Sequence, residues 1–231
     1  MAPDTDGVPT GRRLLLVNPN TSVHITERLV RSARIHLPAG ATLTALTATD
    51  GPAAVRSPAE LAAAGERVLA MAQAHQADHD AAIVGISLDC GLAATRAAWT
   101  PRPVVGMTEA ACHMACLTGQ PFALLTLGST MGNSYREHVA SLGLSQRLLG
   151  VAAPDAPEAF NAAAHEVLPS VLDALAVATH PMREGGACSV VLAGAVLCGY
   201  APALSQRLNL PVFDGVACAV QLIREHWGLS S

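Results

Sequence analysis

The sequence lacks the marks of most familiar site types. No apolar run approaches the roughly 20 residues needed to cross a bilayer, although 51% of the 231 residues are hydrophobic. Ala supplies much of that share, so the chain is not expected to span a membrane. Residues 1–11 are polar and rich in Pro, Gly and Asp, with no apolar stretch ahead of a cleavage site, and read as a disordered lead rather than a signal peptide. The expected location is the cytoplasm. Charge is scarce at 14%, with a formal net value of -4. Its Arg residues are scattered rather than gathered into a stripe, so the electrostatic footprint of a nucleic-acid or acidic-membrane partner is missing. A small molecule is the expected partner.

Recognisable catalytic signatures are missing as well. The nine histidines show no HExxH spacing, and neither GxGxxG, GxxxxGK[ST] nor GxSxG occurs, which removes the zincin, dinucleotide, P-loop and nucleophile-elbow readings. Six cysteines, Cys90, Cys112, Cys116, Cys188, Cys198 and Cys218, include no CxxC pair and no Cys/His cluster at zinc spacing. In a reducing compartment they are free thiols, and no metal or other cofactor is implied.

What remains is a regular α/β pattern. Short β-rich runs at 14–17, 82–87, 104–107, 122–127, 189–193 and 212–213 alternate with longer helical stretches, the signature of parallel sheets covered by helices on both faces. Ser57-Pro58-Ala59-Glu60 is a capping box with Pro at the first helical position and opens a helix to about Ala77. Asp155 and Glu158 have the spacing to open another, which must bend or break near Pro169.

The chain also repeats itself. Cys90-Gly91-Leu92 matches Cys198-Gly199-Tyr200 (198 − 90 = 108), Pro103-Val104-Val105 matches Pro211-Val212-Phe213, and Thr21-Ser22 matches Ser129-Thr130, all at one offset. Three separated matches in a single register indicate two copies of one α/β unit. The expected organisation is a lead over 1–11, a first half over 12–119 and a second over 120–231, with the C-terminal helix able to pack on the first half. Duplicated units pack about a pseudo-twofold axis, and open α/β sheets bind ligands at the carboxyl ends of their strands. The expected site is therefore the cleft between the halves.

Two pairs of elements point into that cleft. The loops Val17-Asn18-Pro19-Asn20-Thr21-Ser22 and Leu127-Gly128-Ser129-Thr130 place hydroxyls between a strand and a helix. Such positions serve as plain N-caps or, with free backbone N–H groups, as an anion site. Cys90 and Cys198 each follow an apolar strand and precede a glycine and a helix. They are either small packing residues or thiols whose pKa a helix N-terminus lowers. Two thiols on opposite sides of an axis suit stereoinversion, one removing a proton next to a carbonyl and the other returning one to the opposite face. His24, His113 and Glu109 lie near strand ends and read as surface or core residues.

The stretch Val17-Asn18-Pro19-Asn20-Thr21-Ser22 resembles the opening signature of hydantoin and allantoin racemases, members of the aspartate/glutamate racemase superfamily. Asp89-Cys90-Gly91-Leu92 is similar to a D-P-G-L stretch of that family. Glu109-Ala110-Ala111, Thr126-Leu127 with Thr130, and Pro211-Val212-Phe213-Asp214-Gly215 continue the resemblance in order. It implies two pseudo-twofold-related αβα halves, each with a mainly parallel sheet, a site in the cleft between them, no cofactor, proton transfer by one cysteine from each half, and a homo-oligomer. The pattern departs at the decisive point. The positions that carry the family's catalytic cysteines are held here by Ile86 and Gly194, while Cys90 and Cys198 stand four residues later in each half.

Three readings follow. Either the thiol pair has shifted together by about one helical turn, or the chemistry has changed, or the scaffold binds a small molecule with both thiols inert. Changed chemistry has parallels in the superfamily, where arylmalonate decarboxylases use one cysteine beside enediolate-stabilising donors and maleate isomerases use cysteine for addition. The first is the leading expectation: a cofactor-independent racemase or epimerase of a small carbonyl compound with an acidic C–H. Cys90 and Cys198 would carry protons. Asn18, Thr21, Ser22, Ser129 and Thr130 would hold carboxylate or imide oxygens, and Ser87 with the backbone around Gly194 would stabilise the enolate.

Overall fold

Two four-stranded sheets, each entirely parallel, carry the chain in the computed structural model, which describes residues 11–128 and 131–228. The expected lead, up to residue 10, lies outside the described residues. In the first sheet β2 (Thr42–Thr47), β1 (Arg13–Asn18), β3 (Ala81–Val84) and β4 (Val104–Gly106) lie in that order. The second repeats it with β6 (Leu148–Ala152), β5 (Phe122–Leu125), β7 (Ser189–Leu192) and β8 (Val212–Asp214). The central strands β1, β3, β5 and β7 are the continuous apolar runs, as strands covered on both faces must be. Edge strands β2 and β6 escape the sequence pattern because Thr-Leu-Thr-Ala-Leu-Thr and Leu-Leu-Gly-Val-Ala are only partly buried and mix polar or glycine positions into the run.

The helices are α1 (Val23–His36), α2 (Pro58–His75), α3 (Leu92–Trp99), α4 (Met107–Ala115), α5 (Gly132–Ser141), α6 (Pro169–Glu184), α7 (Ala201–Leu208) and α8 (Gly215–His226). Helix α2 starts where the capping box places it. The Ser57 hydroxyl accepts from Glu60 N, and the Glu60 carboxylate accepts from Arg56 N at 2.7 Å, one residue before the cap. The helix expected from Asp155 does not form. Only a short 3-10 turn, Pro157–Asn161, occupies that region, and α6 opens at Pro169. Proline is favoured in a first turn, where its missing N–H costs nothing, so Pro169 starts a helix rather than bending one.

The duplication is legible in the coordinates. Ala81 and Ser189 begin β3 and β7 (189 − 81 = 108), and Val104 and Val212, then Met107 and Gly215, begin further equivalent elements at the same spacing. Contacts between the halves are reciprocal. Helix α4 packs on its own equivalent α8, while α1 touches the turn Ala195–Leu197 and α5 touches the equivalent turn Ser87–Asp89. Such mutual contacts are what a twofold relation produces. Gly215 permits the α4–α8 approach, since a Cβ there would stand 2.7 Å from the Met107 carbonyl oxygen. Helix α8 also lies against α1 of the first half.

Strand alternation divides the interior of the first sheet. Leu14 and Leu16 face the large core shared with the second half, whereas Leu15 and Val17 face a smaller cluster beneath α2 and α3. No helix of the described residues is long and apolar enough to cross a membrane.

Candidate active site

Four strand ends supply the cleft. At the end of β1, Asn18 is fully buried, and its amide donates to Asn20 Oδ1 at 3.0 Å and Thr26 Oγ1 at 2.9 Å while its own oxygen accepts from Asn20 N. Ser22 donates its hydroxyl to the Ala53 carbonyl at 2.7 Å, and Thr21 donates its backbone N–H to Pro52 O. The first of the two expected oxygen-binding loops thus spends Asn18 and Ser22 on its own shape and on tethering the β2–α2 loop. In the second, Ser129 and Thr130 lie outside the described residues.

The halves also meet around Gly194. A Cβ added to this residue would lie 3.8 Å from Thr126 Oγ1 and 3.9 Å from Ser87 Oγ, and Gly194 itself adopts φ +150, which side chains rarely tolerate. Ser87 follows β3 of the first sheet, whereas Thr126 and Gly194 follow β5 and β7 of the second. Tyr135 on α5 ties them together. Its hydroxyl accepts from Thr126 Oγ1 at 3.2 Å and donates to Ala193 O at 3.4 Å, with the Ser87 side chain beside it. Burial pushes the phenol up, against the opposing effect of those hydrogen bonds, so it stays a neutral donor. Three hydroxyls gather in the notch beside Gly194; Thr126 and Tyr135 spend their protons on Tyr135 and Ala193 O, so serving an oxygen that gains charge during reaction requires these hydroxyls to turn toward it. Tyr135 was not anticipated. Its one sequence signal is scarcity, as one of two tyrosines in the chain.

A second link lies beside the first. Asp89 accepts from Thr108 N at 2.9 Å and Glu109 N at 2.7 Å, capping α4, and from His138 Nε2 at 2.9 Å on α5. Its carboxylate occupies the space that a Gly106 side chain would need, with Cγ 2.4 Å from an added Cβ. In the second half the position equivalent to Gly106 is Asp214, which caps α8 directly through Val216 N and Ala217 N and takes Gly199 N on its other oxygen. Each α4-type helix therefore has a buried carboxylate at its start, but only the first draws it from the preceding loop. Leu88 and Asp89 reach this arrangement in the left-handed region, at φ 62 and 49, a strained backbone of the kind that functional loops hold.

The thiols follow the notch residues closely in the chain, Cys90 three positions after Ser87 and Cys198 four after Gly194. Cys90 is half-buried against the apolar layer beneath α2, and burial, then the neighbouring Asp89, push its thiol up to about 12 despite Arg67. Cys198 is buried beside Asp214. Burial first, then the Asp214 charge, drive the Cys198 thiol well above the ordinary value, with the Val216 N–H and Arg28 acting the other way. At both helix starts burial outweighs the dipole effect that the sequence suggested. Cys198 lines a groove of about 620 Å³ between α1, α7 and α8 whose walls include neither Cys90, Ser87 nor Gly194. Ile86 packs its side chain among Val17, Val84 and Leu92. The remaining candidates have ordinary partners: His24 Nε2 meets Phe160 O at 2.7 Å, and Glu109 pairs with Arg96 at 2.7 Å. No group of three or more His, Cys, Asp or Glu arranged for a metal occurs among the described residues.

Comparison with known proteins identifies the family of the chain. The family described as Asp/Glu/hydantoin racemase matches residues 14–223, which spans both halves and every strand end named above. The chain belongs to that family. Membership places it among isomerases that work at a stereocentre. The hydantoin racemase of Paenarthrobacter aurescens is 30% identical over 213 residues, covering 91% of this chain and 89% of the relative. An allantoin racemase from Pseudomonas fluorescens shares 27% identity, covers 94% of this chain and 92% of its own, and superposes with a TM-score of 0.84. Glutamate racemase from Campylobacter jejuni, at 14% identity, covers 93% of this chain and 85% of its own with a TM-score of 0.64, and shares the fold.

Proposed function

We propose that this racemase-family enzyme inverts the stereocentre of a small carbonyl compound with an acidic C–H, hydantoin-like or amino-acid-derived, by removing and returning a proton through an enolate. The observation that carries the proposal is the meeting of Ser87 from one half with Gly194 from the other, beside Thr126 and Tyr135. The notch at Gly194 accepts the reacting carbonyl, and the three hydroxyls stabilise its oxygen as charge develops. Cys90 and Cys198 are the proposed proton carriers. One takes the proton as a thiolate and the other returns a proton from its thiol to the opposite face, so charge is conserved and the two exchange roles in the reverse direction. Arg67 beside Cys90 and Arg28 beside Cys198 favour the thiolate, whereas burial and the adjacent Asp89 and Asp214 oppose it.

A second reading rests on one observation: neither Ile86 nor Gly194 supplies a thiol at the family's positions, while hydroxyls from both halves gather near Gly194. A decarboxylase, lyase or double-bond isomerase would use the same oxygen-stabilising donors with one proton carrier or none. Separate Cys90→Ser and Cys198→Ser variants, assayed by polarimetry on a hydantoin bearing a benzyl group at its stereocentre, distinguish these. Loss of racemisation with either change supports the two-thiol route. Full racemisation by both variants removes it.

A further inference from the structure

The groove that Cys198 lines includes none of Ser87, Thr126, Tyr135 or Gly194 in its walls. Its volume of about 620 Å³ falls within the range of roughly 300–1,000 Å³ typical of small-molecule pockets. It opens between the halves, with α1 on one wall and α7, β8 and α8 on the other. Arg28 lies on its wall and is 2% exposed. Its guanidinium donates to three backbone carbonyls, Cys198 O at 3.2 Å, Ala163 O at 2.7 Å and Glu166 O at 3.0 Å, but makes no ion pair among the described residues, and its Nε has no partner. A buried cation met by three carbonyls and, at 5.4 Å, the face of the Tyr200 ring has no anionic partner among the described residues to compensate its charge.

Asp214 also lines the groove, but it makes no ion pair with Arg28 and its carboxylate is engaged by the N–H groups of Gly199, Val216 and Ala217, which offset its charge toward an incoming carboxylate. Arg31, exposed on α1 one turn on, adds a second positive charge at the rim, while Val167, Pro202 and Phe213 supply apolar wall. We propose that this groove binds a small carboxylate that carries an apolar group, with the carboxylate toward Arg28 and Arg31 and the apolar part against Val167, Pro202 and Phe213. Such a ligand touches both halves at once and bridges them. The site stands whether or not the cleft carries out the reaction proposed above.

Titration of the whole protein with benzoate, acetate and benzyl alcohol, followed by calorimetry, tests it. Benzoate is expected to bind at least about tenfold more tightly than either control, since only it satisfies both the charge and the apolar wall. Arg31→Glu and Pro202→Trp change exposed positions of the groove and are expected to weaken benzoate by about tenfold or more, the worth of one charge-assisted hydrogen bond. Tyr135→Phe, which alters only the cleft, is expected to leave binding unchanged. Absence of benzoate binding, or binding that survives both groove variants, overturns the proposal. So does binding lost with Tyr135→Phe alone, which would assign the carboxylate to the cleft.

Discussion

Asp89 of the first half and His138 of the second are joined at 2.9 Å, and the same carboxylate caps α4. Two residues back along that loop, Ser87 lies near both Gly194 and Tyr135, the latter on the same helix α5. The loop after β3 is thus fastened to the other half by the Asp89–His138 pair, two residues beyond the one that reaches the notch.

Removing the Asp89 carboxylate should therefore be costly. Asp89→Ala leaves two helix N–H groups and His138 without their acceptor, and a loss of about 2–4 kcal/mol is expected from the cap and the buried hydrogen bonds together. His138→Ala should lose about 1–2 kcal/mol, and Glu109→Ala, which breaks only a surface pair with Arg96, under about 1 kcal/mol. Urea denaturation of the three variants gives the ranking, and equal values would contradict it.

Close approach makes a second test. In Gly215→Ala the new Cβ meets the Met107 carbonyl oxygen at 2.7 Å, backbone that can move only by separating α4 from α8. An expected cost of about 1–3 kcal/mol should be visible as a lower denaturation midpoint. Alanine at Gly132, which has nothing within 4 Å of its added Cβ, should cost little.

Tyr135→Phe isolates the chemistry from the fold. It removes one hydroxyl and keeps the ring, so stability should change by only about 1 kcal/mol, while turnover of the benzyl hydantoin should fall by about 100-fold or more, as for the loss of one oxyanion donor. Equal turnover with and without the hydroxyl would remove Tyr135 from the site.

The thiols supply a pH test. For Cys90, raised in the folded protein to about 12 from an ordinary value of 9.0, and for Cys198, raised in the same direction, the neutral form is favoured by folding. That contribution is fully present below the unfolded pKa and is lost as pH rises through the folded one. Stability should thus decline as pH climbs from about 9 toward 12. Native alkylation at pH 8 followed by peptide mass analysis should label exposed Cys188 well before Cys90 or Cys198. Early labelling of Cys198 would show that its burial is not maintained in solution.

Much of the architecture was legible in the sequence because it rests on local pattern. The apolar runs of β1, β3, β5 and β7, the Ser57 cap and the 108-residue register all lie within short stretches of chain. Of the edge strands, β4 and β8 were legible but β2 and β6 were not, since partial burial erases their pattern, and neither was the role of Pro169, which depends on where the preceding turn ends. In the site, Ser87 and Gly194 were visible through their place at strand ends. Tyr135 and His138 were not, because they act on partners 48 and 49 positions away in the other half, a proximity that only folding creates. The direction of the thiol shifts was hidden for the same reason: a helix start is written in the sequence, but the burial that overrides it is a property of the packed halves.

The most direct measurement of the central claim is solvent deuterium uptake. A single enantiomer of the benzyl hydantoin, incubated with the enzyme in deuterium oxide and followed by proton NMR and chiral chromatography, should lose its stereocentre proton signal as the opposite enantiomer, carrying deuterium, accumulates. Exchange is expected well above the buffer rate and strongly reduced in Tyr135→Phe. Recovery of the starting enantiomer with its proton intact, at the rate of buffer alone, would contradict the assignment of proton removal and return to this cleft.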